Sequence, residues 1–295
     1  IRESQMEKTT RRTESKANGV NPLVLYLGLT LLFSTIFWVL IASAGQLTPP
    51  LILGLMWSPG IAAILTRRRR VAETESLGWR LGPPFYLLLG YFLPPFIFLI
   101  AYGTAWLSRW VPILPEAAGA VLTARFWATW GVLTVGAILS AAGEEIGWRG
   151  LLVPLLNRRY GFRTAVIVSG LIWAGWHYPL MLTIRYSAYG IPLWYALIVF
   201  TLCVVGFSVF LGWLRLRSNS LWPAALAHAT FNLALDMADG LTTTNPMRGY
   251  LLGESGILVA GAMIVVGLVF WLRQARLTMS TPTGYVPAGN MQKVP

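Results

Sequence analysis

The sequence is poor in charged residues, and its 295 residues include one cysteine and two histidines. Charged residues make up 12% of the chain, well under the roughly 25% typical of soluble domains, and 56% of the residues are hydrophobic. This composition excludes an ordinary soluble protein and indicates an integral membrane protein. The lone Cys203 lies in an apolar run, so it can form no intramolecular disulfide and is expected to have a packing role.

Eight apolar runs approach or exceed the roughly 20 residues that a membrane span needs. They lie at about 22–45, 48–66, 84–108, 125–155, 164–184, 191–214, 220–239 and 256–272. They predict an all-α fold, a polytopic transmembrane helical bundle of about eight spans built from residues 21–276. The fourth run is too long for one simple span and is expected to bend near Pro154. Residues 1–20 are polar and lack the apolar core of a signal peptide, and residues 277–295 are predicted to be a disordered tail.

Basic residues cluster in every second loop, which accounts for the net charge of +12. The clusters are Lys8–Lys16, Arg67–Arg70, Arg158–Arg163, Arg215–Arg217 and Arg273–Arg276. By the positive-inside rule this pattern places both termini in the cytoplasm. The clusters are interpreted as anchors at anionic lipid headgroups rather than as a nucleic-acid surface. The compact loops favour location in a prokaryotic plasma membrane. Location in the endoplasmic reticulum stays open as the alternative.

Ionisable residues inside apolar runs are costly and mark candidate functional sites. Glu144 lies 14 residues before Arg158, His177 lies 14 residues after Arg163, and His228 lies 11 residues after Arg217. At the helical rise of 1.5 Å per residue, all three lie roughly 16–21 Å from the basic belt. Three spans therefore bring polar groups to one depth, which predicts a single polar site inside the bundle.

Helical spacing assigns partners to the two glutamates. Glu145 and Arg149 are separated by four residues in the favourable order for an ion pair. Glu144 is turned about 100° away and is expected to lack an ionic partner, which suits a general base. A pair of this kind can also be a purely structural element that fixes the fold.

The same spacing places His228 and Asn232 on one helix face, and also Trp173 and His177. A neutral imidazole and a carboxamide can both donate to a developing oxyanion. A single histidine in a membrane helix often only forms a hydrogen bond between helices. It is therefore the shared depth of the polar residues, and not either histidine alone, that favours a catalytic site.

Three motifs occur in order: Glu-Glu-x-x-x-Arg at 144–149, aromatic-x-x-x-His at 173–177 and His-x-x-x-Asn at 228–232. This order resembles the CAAX-protease and bacteriocin-processing family of intramembrane endopeptidases, which includes the type II CAAX prenyl endopeptidase. The resemblance implies a helical bundle with a conical cavity open to the cytoplasm. It implies hydrolysis of a peptide bond near the C-terminus of a membrane-associated substrate, with or without a prenyl group.

The resemblance also implies roles for individual residues. Glu144 and His177 would activate water, and His228 and Asn232 would hold the oxyanion. Glu145 and Arg149 would support the site, unless Arg149 meets the substrate. Trp173 stands where the family usually has Phe, which alters the shape of the cavity more than its chemistry.

Metal use and two rival functions stay open. The family has often been labelled a metalloprotease, and Glu144, His177 and His228 could ligate zinc. No His-Glu-x-x-His helix is present, so no bound metal and no other cofactor is expected.

One rival function is a transporter or proton relay, although the two halves show no obvious repeat. The other is a non-catalytic immunity or scaffold protein of the family. The expected partners are the bilayer and a membrane-anchored peptide, and not nucleic acid.

Overall fold

The structure, a computed structural model, describes residues 20–69, 76–117, 119, 122–188 and 190–280, with side chains as far as residue 274. The predicted N-terminal segment up to residue 19 and the predicted tail from residue 281 lie outside the described residues. The last helix continues to Ser280, beyond residue 276 at which the membrane domain is predicted to end.

The described elements form a helical bundle, in agreement with the all-α prediction. The helices are α1 (Pro22–Ala44), α2 (Pro49–Arg69), α3 (Pro84–Leu107), α4 (Ala124–Glu145), a π-helical segment (Ile146–Leu152), α5 (Val153–Thr183), α6 (Leu193–Ser218), α7 (Trp222–Gly240), the short α8 (Arg248–Leu251) and α9 (Ile257–Ser280). Seven of the eight predicted spans each correspond to one helix or to part of one, and the fourth, 125–155, covers α4, the π-helical segment and the start of α5.

Six helical stretches among the described residues are long and apolar enough to cross a membrane. One of them, Ala124–Thr183, is 60 residues long and contains the fourth and fifth predicted spans. The break between these two spans is at Gly161, where φ is 77° and ψ is 170°, whereas Pro154 lies in helical conformation. This break lies in the predicted connection between the two spans, at a glycine that accepts a positive φ. The bend near Pro154 within the fourth run stays a prediction.

Hydrogen bonds between loops define the two ends of the bundle. At one end, Leu221 N lies 2.8 Å from Gly78 O. At the other end, Leu114 N lies 2.8 Å from Leu241 O. The first end, here called the arginine end, carries the described basic residues of the predicted cytoplasmic loops: Arg67–Arg69, Arg158, Arg159, Arg163, Arg217 and Arg273. The second end, here called the distal end, consists of the loops at 45–48, 108–117, 184–192 and 241–256, as far as they are described.

Helix α6 lies at the centre of the bundle. In the most apolar 18-residue stretch of α6, 72% of the residues are buried, against 22–39% in the corresponding stretches of the five other candidate spans. It packs against α5, α7 and α9. The outer helices instead expose large apolar side chains such as Leu32, Phe92 and Val265, as expected of surfaces that face lipid.

A close helix crossing fixes the position of the two glutamates. A Cβ atom added at Gly143 would lie 2.8 Å from the Met56 carbonyl oxygen of α2. A Cβ atom added at Gly147 would lie 2.5 Å from the side chain of Pro59. Because neither position has room for a side chain, α2 packs directly on the backbone around Glu144 and Glu145.

Candidate active site

The two glutamates lie where α4 passes into the π-helical segment, and every residue of that segment is buried. A π-helical turn contains one residue more than an α-helical turn, and such turns often occur at functional sites. Glu144 is 2% exposed, and Glu145 and Arg149 are fully buried. Burying so many charged groups is costly unless each of them has partners.

Among the described residues no ion pair involves Glu144, and its carboxylate accepts hydrogen bonds from two tryptophans. The indole N–H groups of Trp173 and Trp148 donate to the same oxygen, Oε2, at 2.6 and 3.1 Å. The prediction that Glu144 faces away from Arg149 agrees with this arrangement, whereas the expectation of a carboxylate without partners was incomplete. Trp148 was not singled out by the sequence analysis, although its position four residues after Glu144 is a usable signal.

Glu145 points away from Glu144, and one of its oxygens accepts two hydrogen bonds. Its Oε1 lies 2.7 Å from Nη1 of Arg149 and 2.9 Å from Nδ1 of His228. The guanidinium of Arg149 also lies over the Trp173 ring, 4.1 Å from the ring centroid. The ion pair predicted from spacing is present, and it extends across the bundle to α7.

This contact changes the expectation for His228. A carboxylate only accepts hydrogen bonds, so Nδ1 of His228 carries the proton. A neutral ring would then present only an acceptor at Nε2, rather than the donor that the sequence analysis expected. Donation from Nε2 requires a ring protonated on both nitrogens, and the carboxylate of Glu145 is placed to balance that charge.

His177 is oriented by its own helix. Its Nδ1 lies 2.9 Å from the carbonyl oxygen of Trp173. Since a carbonyl oxygen can only accept, Nδ1 is the donor and Nε2 of the neutral ring is an acceptor. Aromatic rings surround the imidazole, with ring centroids 4.9 Å away at Trp176 and 5.2 Å away at Phe200.

One cavity of about 260 Å³ brings most of the predicted site together. Its lining includes Glu144, Trp173, His177, His228 and Asn232. Glu145 and Arg149 are not part of the lining and lie behind it. The cavity therefore unites groups from α4, α5 and α7, as the shared depth predicts.

Three further polar residues line the cavity and were missed by the sequence analysis: Tyr186, Asp236 and Glu254. Asp236 continues the spacing of His228 and Asn232 by four more residues, so helical periodicity could have found it. Glu254 lies in the loop before α9. Burial raises the pKa of Glu254 to about 7, against a weaker opposing effect of its hydrogen bond with Tyr186. No local pattern marks this residue.

The arrangement does not form a ready metal site. Among the residues that the structure describes, no group of three or more His, Cys, Asp or Glu side chains is placed to hold a metal ion. The Nδ1 atoms of both histidines have hydrogen-bond partners, an arrangement that also occurs in histidines that bind a metal through Nε2, so these contacts do not decide metal use.

The cavity extends towards the distal end. Helices α2 and α6 run towards the arginine end and line the cavity only up to Met56 and Phe207. Helices α5 and α7 run the opposite way and line it only from Trp173 and His228 onwards. The lining of the cavity therefore lies on the distal side of the two glutamates. The cytoplasmic orientation of the arginine loops and of the cavity stays a prediction.

The comparisons with known proteins agree with the family resemblance of the three motifs. Residues 125–234 match the protein-family model described as type II CAAX prenyl endopeptidase Rce1-like, and this range contains all seven predicted site residues. Over 134 residues the chain is 31% identical to a protein of Methanococcus maripaludis named CAAX prenyl protease 2. That alignment covers 43% of the chain and 47% of the relative, so the match spans about half of the relative's length.

Proposed function

We propose that the chain is an intramembrane endopeptidase in which Glu144 activates the attacking water; the match of residues 125–234 to the Rce1-like CAAX protease family model supports this. The observation that carries this proposal is the shared cavity. A carboxylate, two imidazoles and a carboxamide from three helices line one small volume in an apolar bundle.

The first step is water activation. The indole donors of Trp148 and Trp173 hold Oε2 of Glu144, so the carboxylate keeps one orientation towards the cavity. A water between Glu144 and Nε2 of His177 would give its proton to the carboxylate as its oxygen attacks the scissile carbonyl carbon. Glu144 then returns the proton to the leaving amine when the C–N bond breaks, so it acts first as base and then as acid.

The second element is stabilisation of the oxyanion. The carboxamide of Asn232 and a doubly protonated His228 would each donate one hydrogen bond to the tetrahedral oxygen. Glu145 compensates the charge on the His228 ring from behind, and Arg149 in turn compensates Glu145. In this scheme Glu145 and Arg149 are positioning residues, because neither lines the cavity.

We further propose that the substrate is a membrane-anchored peptide, that the enzyme lies in a prokaryotic plasma membrane, and that it uses no resident metal. A transporter or proton relay needs a path across the bundle. Here the buried residues Ile146–Val153 lie between the cavity and the arginine end, which favours hydrolysis over transport.

The proposal is tested by comparing membrane peptides, by mass spectrometry, from cells that express the wild type, Glu144→Gln or Glu116→Gln. Glutamine keeps one oxygen that can accept the indole hydrogen bonds but removes the base, so cleavage products should fall about 10²–10⁴-fold. Glu116→Gln, in an exposed loop, should match the wild type. Retention of products in Glu144→Gln would overturn the assignment of the base.

A further inference from the structure

Two polar residues of the distal loops line the cavity without a part in the proposed chemistry. They are Tyr186, in the loop after α5, and Glu254, in the loop before α9. We propose that Glu254, oriented by Tyr186, binds a main-chain N–H group of the substrate beside the scissile bond. The inference rests on the proposed endopeptidase function for the statement that the ligand is a peptide. It adds the contact that holds this peptide in the cavity.

A peptide inside the cavity needs acceptors for its N–H groups, because an amide buried without a hydrogen bond is costly. Beyond the proposed catalytic groups, the lining residues with a side-chain oxygen are Tyr186, Asp236 and Glu254 among the residues that the structure describes. Asp236 is exposed, whereas Glu254 is half-buried. A hydrogen bond is stronger where water is excluded. Glu254 is therefore the more effective acceptor for the substrate.

Tyr186 connects Glu254 to the proposed catalytic imidazole. Its hydroxyl donates a hydrogen bond to the carboxyl group of Glu254. Its ring is stacked on the ring of His177, with centroids 6.1 Å apart and an angle of 20° between the planes. Phe200 packs against the Tyr186 ring at a centroid distance of 6.4 Å. Tyr186 therefore holds Glu254 beside the histidine that is proposed to contact the attacking water.

The backbone on both sides of Tyr186 is strained. Arg185 has a φ of 59° and Ser187 a φ of 54°, in the left-handed region that residues other than glycine rarely adopt. Such conformations persist only where surrounding contacts hold them, and they cluster at functional sites. One such contact is the 3.2 Å hydrogen bond from Oγ of Ser255 to Oγ of the buried Ser187. It joins the loop of Tyr186 to the loop of Glu254.

Glu254 is also fixed from its other side. The backbone N–H of Gly253 donates to the hydroxyl of Tyr102 at 3.1 Å, and this hydroxyl donates to Oδ1 of Asp239 at 2.6 Å. The residues before and after Glu254 are therefore both hydrogen-bonded to other segments. An acceptor that is held in place before binding costs little ordering when the ligand arrives, so the contact should strengthen binding of the peptide.

The protonation of Glu254 favours an amide over a cation as its ligand. Burial raises the pKa of this carboxyl group to about 7, so the neutral and the charged form coexist at neutral pH. A cation binds well only to the charged form. An amide N–H can be accepted by either form, because a protonated carboxyl group keeps a carbonyl oxygen.

A scan of amide methylation tests this contact. The probe is a fluorogenic peptide built around a membrane-peptide site that the wild type cleaves and Glu144→Gln does not. Each amide nitrogen near the scissile bond is methylated in turn. In the wild type, methylation at one position should raise KM about ten-fold with kcat unchanged, because it removes the N–H that Glu254 accepts. In Glu254→Leu, KM of the unmodified peptide should rise about ten-fold, and methylation at that position should add nothing.

Two variants separate the hydrogen bond from charge and from packing. Glu254→Gln keeps one acceptor oxygen, so its KM should stay within about three-fold of the wild type. Tyr186→Phe keeps the ring but removes the hydroxyl that orients Glu254, so the methylation effect should shrink. Tyr178→Phe is the matched control. Tyr178 is half-buried, its hydroxyl lies 2.7 Å from Oγ1 of Thr201, and it does not line the cavity, so its loss should leave KM unchanged.

The other results refute the proposal. Either no methylation-sensitive position in the wild type or an equal methylation effect in Glu254→Leu would exclude the main-chain contact. Equal rises of KM in Glu254→Gln and Glu254→Leu would identify a contact with a charged group instead. If Glu254→Leu does not fold, an undiminished methylation effect in Tyr186→Phe refutes the pair. A lack of any cleavage that depends on Glu144 would refute the endopeptidase and the pair together, whereas cleavage with unchanged KM in Glu254→Leu would refute the pair alone.

Discussion

Oε1 of Glu145 lies 2.9 Å from Nδ1 of His228, although 83 positions separate the two residues in the chain. The same oxygen accepts the hydrogen bond from Arg149. Glu145 therefore connects the structural ion pair of the Glu-Glu motif to the histidine that is proposed to hold the oxyanion. Its removal should affect stability through Arg149 and catalysis through His228.

A double-mutant cycle on Glu145 and Arg149 should show strong coupling. Glu145→Gln and Arg149→Met each leave an uncompensated buried charge, so each should destabilise the protein by about 3–5 kcal/mol. The double variant should recover part of that loss in unfolding measurements in detergent. The pair formed by Asp239 and Arg248, which are 16% and 17% exposed, is the control and should couple less strongly, because both side chains keep some contact with solvent. Additive effects at the buried pair would show that the two charges do not stabilise each other.

The indole donors to Glu144 should matter for turnover. Trp173→Phe keeps an aromatic ring but removes the 2.6 Å hydrogen bond to Oε2, so we expect kcat to fall about ten-fold, as for the loss of a hydrogen bond to a charged group. Trp148→Phe should act in the same direction. Trp176→Phe is the control, because its indole N–H donates to Ser34 rather than to a carboxylate. Equal losses of kcat in all three variants would assign the effect to ring packing instead.

Chelation should leave proteolysis intact. Because no group of three or more His, Cys, Asp or Glu side chains among the described residues is placed to hold a metal ion, we expect activity to survive prolonged 1,10-phenanthroline and elemental analysis to find no stoichiometric zinc. A soluble zinc protease treated in parallel is the positive control. Activity that is lost to the chelator and restored by zinc alone would identify a metal enzyme.

Glu254 should make stability depend on pH. Its pKa is raised from 4.5 to about 7 by burial, so the folded state binds the proton more tightly than the unfolded state. The resulting stability is fully present below pH 4.5 and is lost as the pH rises through about 7. The melting temperature of the wild type should therefore fall more between about pH 5 and pH 8 than that of Glu254→Gln. Glu116→Gln should follow the wild type, and identical pH profiles for Glu254→Gln and the wild type would contradict this explanation.

Local chemistry determined much of this protein from the sequence alone. The apolar runs predicted the helices of the bundle, and seven of the eight predicted spans lie in stretches long and apolar enough to cross a membrane, because a span requires a length of apolar chain and little else. The spacing of four residues predicted the contact between Glu145 and Arg149 and the common face of His228 and Asn232, because helical geometry fixes both over one turn. The shared depth of three polar elements predicted that they meet in one cavity.

The tertiary structure decided what depends on contacts between distant segments. The hydrogen bond from Nδ1 of His228 to Glu145 on another helix decides that Nε2 faces the cavity. The orientation of the Glu144 carboxylate is set by the hydrogen bond from Trp173 on α5 to Oε2. Glu254 enters the cavity from a loop with no periodic signal. The direction of the cavity also lies beyond sequence reasoning. The depth of a residue along its span is set by rise per residue, but the open side of a bundle is set by which loops pack over it. Here the lining of the cavity reaches from Glu144 to distal loop residues such as Leu47 and Glu254, which no pattern in the sequence predicts.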